Sequence, residues 1–181
     1  DDQRIFDAVL AFGGKAIMTS DQHKSGTDRC YEAYSKLTGA FDVVINVQGD
    51  EPFIQPEQIE TLKACFETSN TEIATLAKRF TEKDGFEALN NSNSPKLVVN
   101  KFDEAMYFSR SIIPFRRGAE TADWLSLGSY LKHVGIYAYR ADVLRQLTLL
   151  EQSPLEISES LEQLRWLENG FRIKVGYTDV E

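Results

Sequence analysis

Apolar residues near the start of the chain recur at helical spacing, at Ile5, Ala8, Val9 and Phe12. This spacing predicts an amphipathic helix that ends at Gly13 and Gly14, because glycine readily adopts the left-handed conformation of a helix C-terminus. Residues 15–19 are predicted as a short strand. A polar loop follows, and the next helix is expected over 28–37, with Ser25 and Asp28 in a capping-box arrangement.

The clearest strand pattern is the sequence VVINV at 43–47, which is almost continuously apolar and β-branched. Such a strand is buried on both faces, as in a parallel sheet that helices cover. The next helix is predicted over 56–67, with Pro56 in its first turn, and a further strand over 72–77. Helices and strands therefore alternate, and this order predicts a three-layer α/β/α domain.

In the second half of the chain the sequence pattern predicts strands over 96–100 and 105–108, a loop over 116–123 and a long strand over 130–140. In the long strand Val134, Ile136 and Ala138 occupy one face, and the other face carries His133, Gly135, Tyr137 and Tyr139. A last helix begins at Ser153 and Pro154 and ends at Asn169 and Gly170. We expect one domain over 1–181, with an inserted antiparallel element at about 100–140.

Composition excludes several function classes. Apolar residues make up 42% and charged residues 27% of the chain, a mixture typical of globular proteins. The net charge of -8 argues against a general nucleic-acid binder, and no apolar run reaches the length of a membrane span. Cys30 and Cys65 have neither zinc-site nor disulfide-framework spacing, so we expect a cytoplasmic protein.

The strand at 43–47 leads directly into Gln48, Gly49, Asp50, Glu51 and Pro52. Ligands of open α/β sheets bind beyond the carboxyl ends of the strands, where Asp50 and Glu51 are expected. Mg²⁺ prefers oxygen ligands and takes one or two protein carboxylates together with substrate phosphates. A solvated turn into the following helix explains the same residues, so the pattern by itself leaves both interpretations open.

Three further groups are candidates for binding an anionic ligand. The sequence HKSGTDR at 23–29 places free backbone amides and Arg29 at a helix start, although an ordinary capped helix has the same appearance. His133 and Tyr137 share one strand face and can line a polar cavity, while a structural role for the histidine remains open. Arg110, Arg116 and Arg117 are either anion ligands or surface charges.

These segments together resemble the 3-deoxy-manno-octulosonate cytidylyltransferase (CMP-Kdo synthetase) family. The resemblance covers almost the whole chain and is carried, in this order, by H-K-S-G-T-D-R, V-I-N-V-Q-G-D-E-P, Y-F-S-R-S-I-I-P, K-H-V-G-I-Y-A-Y-R, S-P-L-E and L-E-Q-L-R. It implies a Rossmann-like nucleotidyltransferase fold and a cytoplasmic, Mg²⁺-dependent homodimer. The implied reaction joins CTP and the acid sugar Kdo into CMP-Kdo and pyrophosphate, for lipopolysaccharide assembly in Gram-negative bacteria.

The resemblance also implies a role for each matching residue. Asp50 and Gln48 are expected to be the catalytic residues, Asp50 as the ligand of Mg²⁺ and Gln48 in contact with the sugar. The residues expected around the cytidine end of CTP are Ser25, Gly26, Thr27 and Arg29. Those expected in the Kdo pocket, besides Gln48, are Arg110, Arg117, His133, Tyr137, Glu162 and Gln163. The loop that carries Arg117 departs from the family pattern. The dimer contact is expected near 107–115 and the strand that begins at Tyr130.

Two family segments have no match between residues 1 and 181. One is the loop P-A-R-x-x-S-x-R-x-x-x-K, which grips the triphosphate, and the other is a V-D-T-P-like segment that supplies the second metal carboxylate. We therefore expect a longer protein, and we expect a polypeptide of these residues alone to be inactive. The alternatives are an acylneuraminate (sialic acid) cytidylyltransferase and a non-catalytic nucleotide-binding module. A glycosyltransferase is disfavoured because no acceptor machinery is recognisable.

Overall fold

The structure is a computed structural model that describes residues 1–49, 53–67 and 70–180. Its strands are β1 (Val43–Asn46), β2 (Ile73–Arg79), β3 (Lys96–Val99), β4 (Ala105–Ser109), β5 (Leu131–Arg140) and β6 (Ile173–Tyr177). Its α-helices are α1 (Gln3–Ala11), α2 (Gly26–Ser35), α3 (Pro56–Ala64), α4 (Gly85–Asn90), α5 (Trp124–Leu127), α6 (Ala141–Leu147), α7 (Pro154–Glu159) and α8 (Gln163–Glu168). Short 3-10 turns cover Glu82–Asp84 and Thr121–Asp123.

The six strands form one mixed sheet in the order β4-β3-β5-β2-β6, and β1 also pairs with β5. The pair β2–β6 is parallel, whereas β1, β2 and β3 all run antiparallel to β5. The prediction of a parallel sheet around 43–47 is therefore wrong for β1, which is half-buried along its length. The long strand β5 pairs on one edge with β2 and on the other with β1 and β3.

Helices cover both faces of this sheet, which confirms the predicted three-layer α/β class. On one face Leu62 and Cys65, in and just after α3, pack against a cluster that includes Val134, Ile136 and Ala138. On the other face Tyr137 and Tyr139 lie in the cluster formed with α2, α6 and α8, whose buried members include Leu144, Leu164 and Trp166. The alternation predicted for β5 is confirmed, and both of its faces carry buried side chains.

The helices at the start of the chain match their predictions closely, but the short strand between them does not. Gly13 follows α1 with a φ of 83°, and Ser25 caps α2 by accepting a hydrogen bond from the N–H of Asp28. Residues 15–20 contain no strand, because none of the described strands pairs with them. The carbonyl oxygen of Met18 instead accepts a hydrogen bond from Lys36 Nζ.

The single helix predicted from Ser153 to Asn169 is broken into α7 and α8. Ser153 and Glu156 form the predicted capping box at its start. The break lies at Ser160, whose φ of 51° is left-handed, so the helix cannot continue through it. Glu162 occupies the N-cap position of α8 without a side-chain capping hydrogen bond, and Gln163 is the first residue of the helix. The strand β6 and the helices α4, α5 and α6 were not predicted.

None of the helices within residues 1–49, 53–67 and 70–180 has both the length and the apolar character required to cross a membrane.

Candidate active site

A cavity of about 1270 Å³ opens between the start of α2, the end of β1, one part of β5 and the junction of α7 with α8. Most of the residues predicted for the site line it, namely Gly26, Thr27, Arg29, Gln48, Arg110, His133, Tyr137, Glu162 and Gln163. Ser25 does not line the cavity directly and acts as the cap of α2. Arg117 is exposed and does not line it. Asp50 lies outside the described residues.

The start of α2 contributes backbone amides and one fixed guanidinium to the cavity. Arg29 donates from Nη1 to Thr19 Oγ1 at 3.0 Å and to the carbonyl oxygen of Ser20 at 3.2 Å. Its Nη2 forms an ion pair of 3.0 Å with Asp1. Free N–H groups at a helix start attract anions, and Arg29 adds a positive charge beside them.

The loop before α2 is also held by Glu32, which lies one turn after Arg29. The Glu32 carboxylate accepts a 2.9 Å hydrogen bond from the N–H of Ser20, is bonded to His23 Nε2, and pairs with Lys36 Nζ at 2.5 Å. The Lys36 contact, followed by the Ser20 N–H and His23, lowers the pKa of Glu32 to about 2. Glu32 is therefore ionised at neutral pH and fixes the loop to the helix.

Gln48 reaches from the end of β1 to the neighbouring strand. Its Nε2 donates a 2.9 Å hydrogen bond to the carbonyl oxygen of Gly135 in β5. The side-chain oxygen of Gln48 has no protein donor among the described residues, so the amide is oriented with its acceptor still available. Gly49, next in the chain, also lines the cavity.

Arg110 directly follows β4 and is held by three carbonyl oxygens. Its Nε donates to Glu159 at 2.6 Å, its Nη1 to Ser92 at 2.9 Å and its Nη2 to Ser160 at 3.2 Å. Within the described part of the chain it forms no ion pair. The guanidinium is therefore fixed in place without an ion-pair partner among the described residues, which is a favourable arrangement for binding a carboxylate or a phosphate.

His133 and Tyr137 lie on the same side of β5, as predicted, with ring centroids 5.4 Å apart. A ring nitrogen of His133 lies 3.0 Å from Thr75 Oγ1, and burial lowers the pKa of His133 to about 4. The imidazole is therefore neutral at physiological pH. Burial raises the pKa of Tyr137, so its phenol stays protonated and remains a donor. Tyr137 also packs edge-on against Trp166 at 5.0 Å.

Glu162 lies at the start of α8 and faces α2 across the cavity. Its Oε2 accepts a 3.1 Å hydrogen bond from the hydroxyl of Thr27, and its Oε1 accepts one of 2.7 Å from Arg165 Nη2. Burial raises the pKa of Glu162, and the neighbouring Arg165 opposes that rise. Gln163 is buried, and its Nε2 has no hydrogen-bond partner among the residues that the structure describes.

Several cavity residues were missed by sequence reasoning. Asn46 lines the cavity two positions before Gln48, so strand alternation alone was a usable signal for it. Lys132 and the segment 93–95 also line it, and no pattern in the sequence pointed to them. Trp166 is buried at the cavity wall, and no role was predicted for it.

A metal ion that binds without help from a substrate needs a cluster of protein side chains. Residues 1–49, 53–67 and 70–180 contain no group of three or more His, Cys, Asp or Glu side chains that could hold a metal ion. A Mg²⁺ ion bound together with a nucleotide needs only one or two protein carboxylates, because phosphates and water complete its shell. The predicted ligand Asp50 is of the right chemical type.

Comparison with known proteins matches residues 1–173 to a family model described as cytidylyltransferase. A 3-deoxy-manno-octulosonate cytidylyltransferase of Bacteroides thetaiotaomicron is 64% identical over 181 residues, which are 100% of this chain and 72% of that protein. The enzyme of the same name from Parabacteroides distasonis is 63% identical over 182 residues, with 100% and 72% covered. That of Thermodesulfovibrio yellowstonii is 46% identical over 187 residues, again covering 100% and 72%.

A solved structure is also similar to this chain. It is a CMP:2-keto-3-deoxy-manno-octonic acid synthetase complexed with CTP, with a TM-score of 0.87 and 44% sequence identity. The similarity covers 98% of this chain and 69% of the chain in that structure. Similarity at this level confirms the expected Rossmann-like nucleotidyltransferase fold.

Proposed function

The chain belongs to the cytidylyltransferase family, and from this premise we propose that it transfers CMP from CTP to 3-deoxy-manno-octulosonate (Kdo), releasing pyrophosphate. One observation carries the proposal. The cavity is lined both by the α2 residues expected to bind cytidine and by the α8 residues expected to bind Kdo, and Thr27 and Glu162 of these two sets are hydrogen-bonded to each other. Both substrates would therefore bind side by side.

We assign the nucleotide to the α2 side of the cavity. The free amides after Ser25 and the side chain of Arg29 favour the negative charge of CTP there. Gly26 lets the base or ribose approach the backbone closely. The hydrogen bonds from Glu32 to Ser20 and His23 hold the loop before α2 in place before the nucleotide binds. This order reduces the entropic cost of binding.

The acid sugar is assigned to the β5 and α8 side. The guanidinium of Arg110, which forms no ion pair with the described residues, suits the Kdo carboxylate, and Gln48, Tyr137 and Gln163 offer donors and acceptors to the sugar hydroxyls. The unpartnered Nε2 of Gln163 supports this assignment, because a buried amide donor without a partner is costly. His133, neutral at physiological pH, completes this wall.

In the proposed reaction the anomeric hydroxyl of Kdo attacks the α-phosphorus of CTP in line, and pyrophosphate leaves. Such transfers depend mainly on positioning and on neutralising charge, which the fixed Arg29, Arg110 and helix amides contribute. When bound, Mg²⁺ supplies further neutralisation of the phosphates and lowers the pKa of the attacking hydroxyl. We propose Asp50 as its protein ligand.

A coupled assay tests this function. Full-length protein with CTP, Mg²⁺ and Kdo is expected to release pyrophosphate and to form CMP-Kdo, detected by mass spectrometry. N-acetylneuraminate replaces Kdo in a parallel reaction and is expected to give at least a tenfold lower rate, on the order of the discrimination that unmatched polar groups impose. Faster turnover of N-acetylneuraminate would favour the sialic acid enzyme. Binding of CTP by calorimetry without any turnover would favour a non-catalytic module.

We further propose a cytoplasmic homodimer that serves lipopolysaccharide assembly in Gram-negative bacteria. Two large apolar side chains on or beside the segment expected at the dimer contact, Met106 and Phe115, are 62% and 75% exposed, and contact with a second copy would remove them from water. Light scattering is expected to give twice the monomer mass, and replacing both side chains by Lys is expected to give monomers.

A further inference from the structure

Lys96 is completely buried although it carries a charge, with a relative exposure of 0%. Its Nζ donates 2.9 Å to the carbonyl oxygen of Asn91 and 2.7 Å to that of Arg110. Burial lowers the pKa of Lys96, and the nearby carboxylate of Glu159 opposes this. A buried ammonium is costly unless it is hydrogen-bonded and compensated, so these two carbonyl oxygens and the nearby carboxylate are what allow a lysine at this position.

Glu159, the last residue of α7, holds the same segment from the other side. Its carboxylate accepts a 2.7 Å hydrogen bond from the hydroxyl of Ser109 and a 2.9 Å bond from the backbone N–H of Arg110. Its own carbonyl oxygen accepts from Arg110 Nε. Lys96 thus donates to the backbone carbonyl of Arg110, and Glu159 accepts from the backbone N–H of the same residue. Two oppositely charged side chains therefore bind both main-chain polar groups of Arg110.

Lys96 and Glu159 also lie in or bond to the segments whose carbonyl oxygens accept hydrogen bonds from the Arg110 guanidinium. Lys96 bonds to Asn91, one position before Ser92, whose carbonyl accepts from Arg110 Nη1. Glu159 and the left-handed Ser160 supply the other two acceptors. Movement of either the turn at 91–94 or the end of α7 would therefore turn the guanidinium away from its present direction.

We propose that Lys96 and Glu159 are positioning residues for Arg110 and thereby set the affinity for the acid sugar. The proposal rests on the function proposed above. A guanidinium that is held in advance binds a carboxylate without losing further side-chain entropy. Lys132 lies directly opposite Lys96 in the β3–β5 pairing and also lines the cavity. CTP is assigned to the α2 side, away from this network.

The test compares the KM for Kdo with the KM for CTP. Lys96→Met keeps the length of the buried stem and removes the ammonium. We expect its KM for Kdo to rise about tenfold, the scale of a lost charge-assisted hydrogen bond, with the KM for CTP changed less than about twofold. Lys83→Met makes the same change at an exposed site and is expected to match the wild type.

Glu159 is the second position for the test. It is half-buried, so replacing it should disturb folding less than replacing the fully buried Lys96. Glu159→Ala is expected to raise the KM for Kdo about tenfold, whereas Glu159→Gln keeps an acceptor for the Arg110 N–H and is expected to stay within about threefold of wild type. A change in the KM for Kdo alone that Gln reverses is an outcome that a role in overall folding would not produce, because a folding defect would alter both KM values. Parallel changes in both KM values, or no change in either, overturn the proposal.

The wild-type reaction separates failure of this inference from failure of the function. If wild-type protein does not convert Kdo, the proposed function is wrong. If it converts Kdo and the Lys96 and Glu159 variants show no selective change in its KM, the function stands and the positioning role is wrong.

Discussion

The hydroxyl of Thr27 donates a 3.1 Å hydrogen bond to Oε2 of Glu162, across 135 positions of the sequence. Thr27 is buried in the first turn of α2, and Glu162 precedes the first residue of α8. The bond therefore joins the helix assigned to the nucleotide to the helix assigned to the acid sugar. It also supplies one of the few donors to a carboxylate whose pKa burial has raised.

Replacing Thr27 by Val should lower activity while keeping the shape of the side chain. The Glu162 carboxylate would lose a donor to its ionised form, so its pKa would rise further and its hold on the sugar hydroxyls would weaken. We expect kcat/KM for Kdo to fall about tenfold at neutral pH. The acid limb of the pH profile should also move to higher pH, because the carboxylate would protonate earlier.

Thr27→Ser is the matched control, since it keeps the hydroxyl and is expected to remain within about threefold of wild type. Equal kinetics and equal pH profiles for the Val and Ser variants would show that the hydrogen bond has no role in the reaction.

Local patterns predicted much of the fold because they depend on neighbouring residues. The alternation in β5 placed Val134 and Tyr137 on opposite faces, and the Ser153–Pro154 sequence predicted the start of α7. The pairing direction of β1 depends on its contact with β5, which lies far away in sequence, so its β-branched composition was misleading. The break at Ser160 was missed because serine is not a residue that commonly marks a left-handed position.

The site was predicted mainly from the resemblance, and residue chemistry by itself left its candidates open. Asn46 could have been found from its position two residues before Gln48. Lys96 could not, because a lysine at the start of a strand is normally exposed, and only the folded chain shows its ammonium enclosed by two carbonyl oxygens. Such contacts join the 91–94 turn to the end of β4 and have no sequence signature.

Because of His133, the free energy of unfolding should decrease as the pH is lowered from neutral to about 5. Its pKa is about 4 in the fold and near 6.5 in the unfolded chain. A group with a depressed folded pKa binds protons more readily when unfolded, so acid favours the unfolded state as pH drops below 6.5. We expect a loss of about 1–2 kcal/mol in the free energy of unfolding at pH 5 relative to pH 7.5, measured with urea.

His133→Gln should remove this part of the pH dependence. His23→Gln removes the other histidine of the chain and should leave it in place, because His133 remains. An unchanged pH slope in His133→Gln would show that the burial of this ring does not govern acid stability.

Ser160 should be a position where glycine stabilises the protein. Its φ of 51° is left-handed, a conformation that costs a non-glycine residue about 1–2 kcal/mol, while glycine loses somewhat more entropy on folding. We expect Ser160→Gly to raise the free energy of unfolding by about 0.5–1 kcal/mol. Ser158→Gly, at the exposed next-to-last residue of α7, should lower it by about 0.5 kcal/mol. Equal effects of the two substitutions in urea unfolding would contradict the left-handed assignment.

Asp50 should be required for Mg²⁺-dependent turnover. It directly follows Gln48 and Gly49 in the sequence, both of which line the cavity, and a carboxylate is a ligand that Mg²⁺ takes together with substrate phosphates. Asp50→Asn keeps the size of the side chain and removes the charge that attracts the metal. We expect pyrophosphate release to fall at least a hundredfold at saturating CTP and Kdo, roughly the loss of one strong electrostatic contact in a transition state.

Two measurements separate a metal role of Asp50 from a structural one. Asp42→Asn makes the same charge change at the exposed opposite end of β1 and should keep wild-type activity. Titration of the Asp50→Asn variant should show that tenfold more Mg²⁺ restores part of the rate, because weaker binding can be offset by concentration whereas a misfolded site cannot. CTP binding without metal should be unchanged. Near-normal turnover by Asp50→Asn at low Mg²⁺ would exclude Asp50 as the metal ligand.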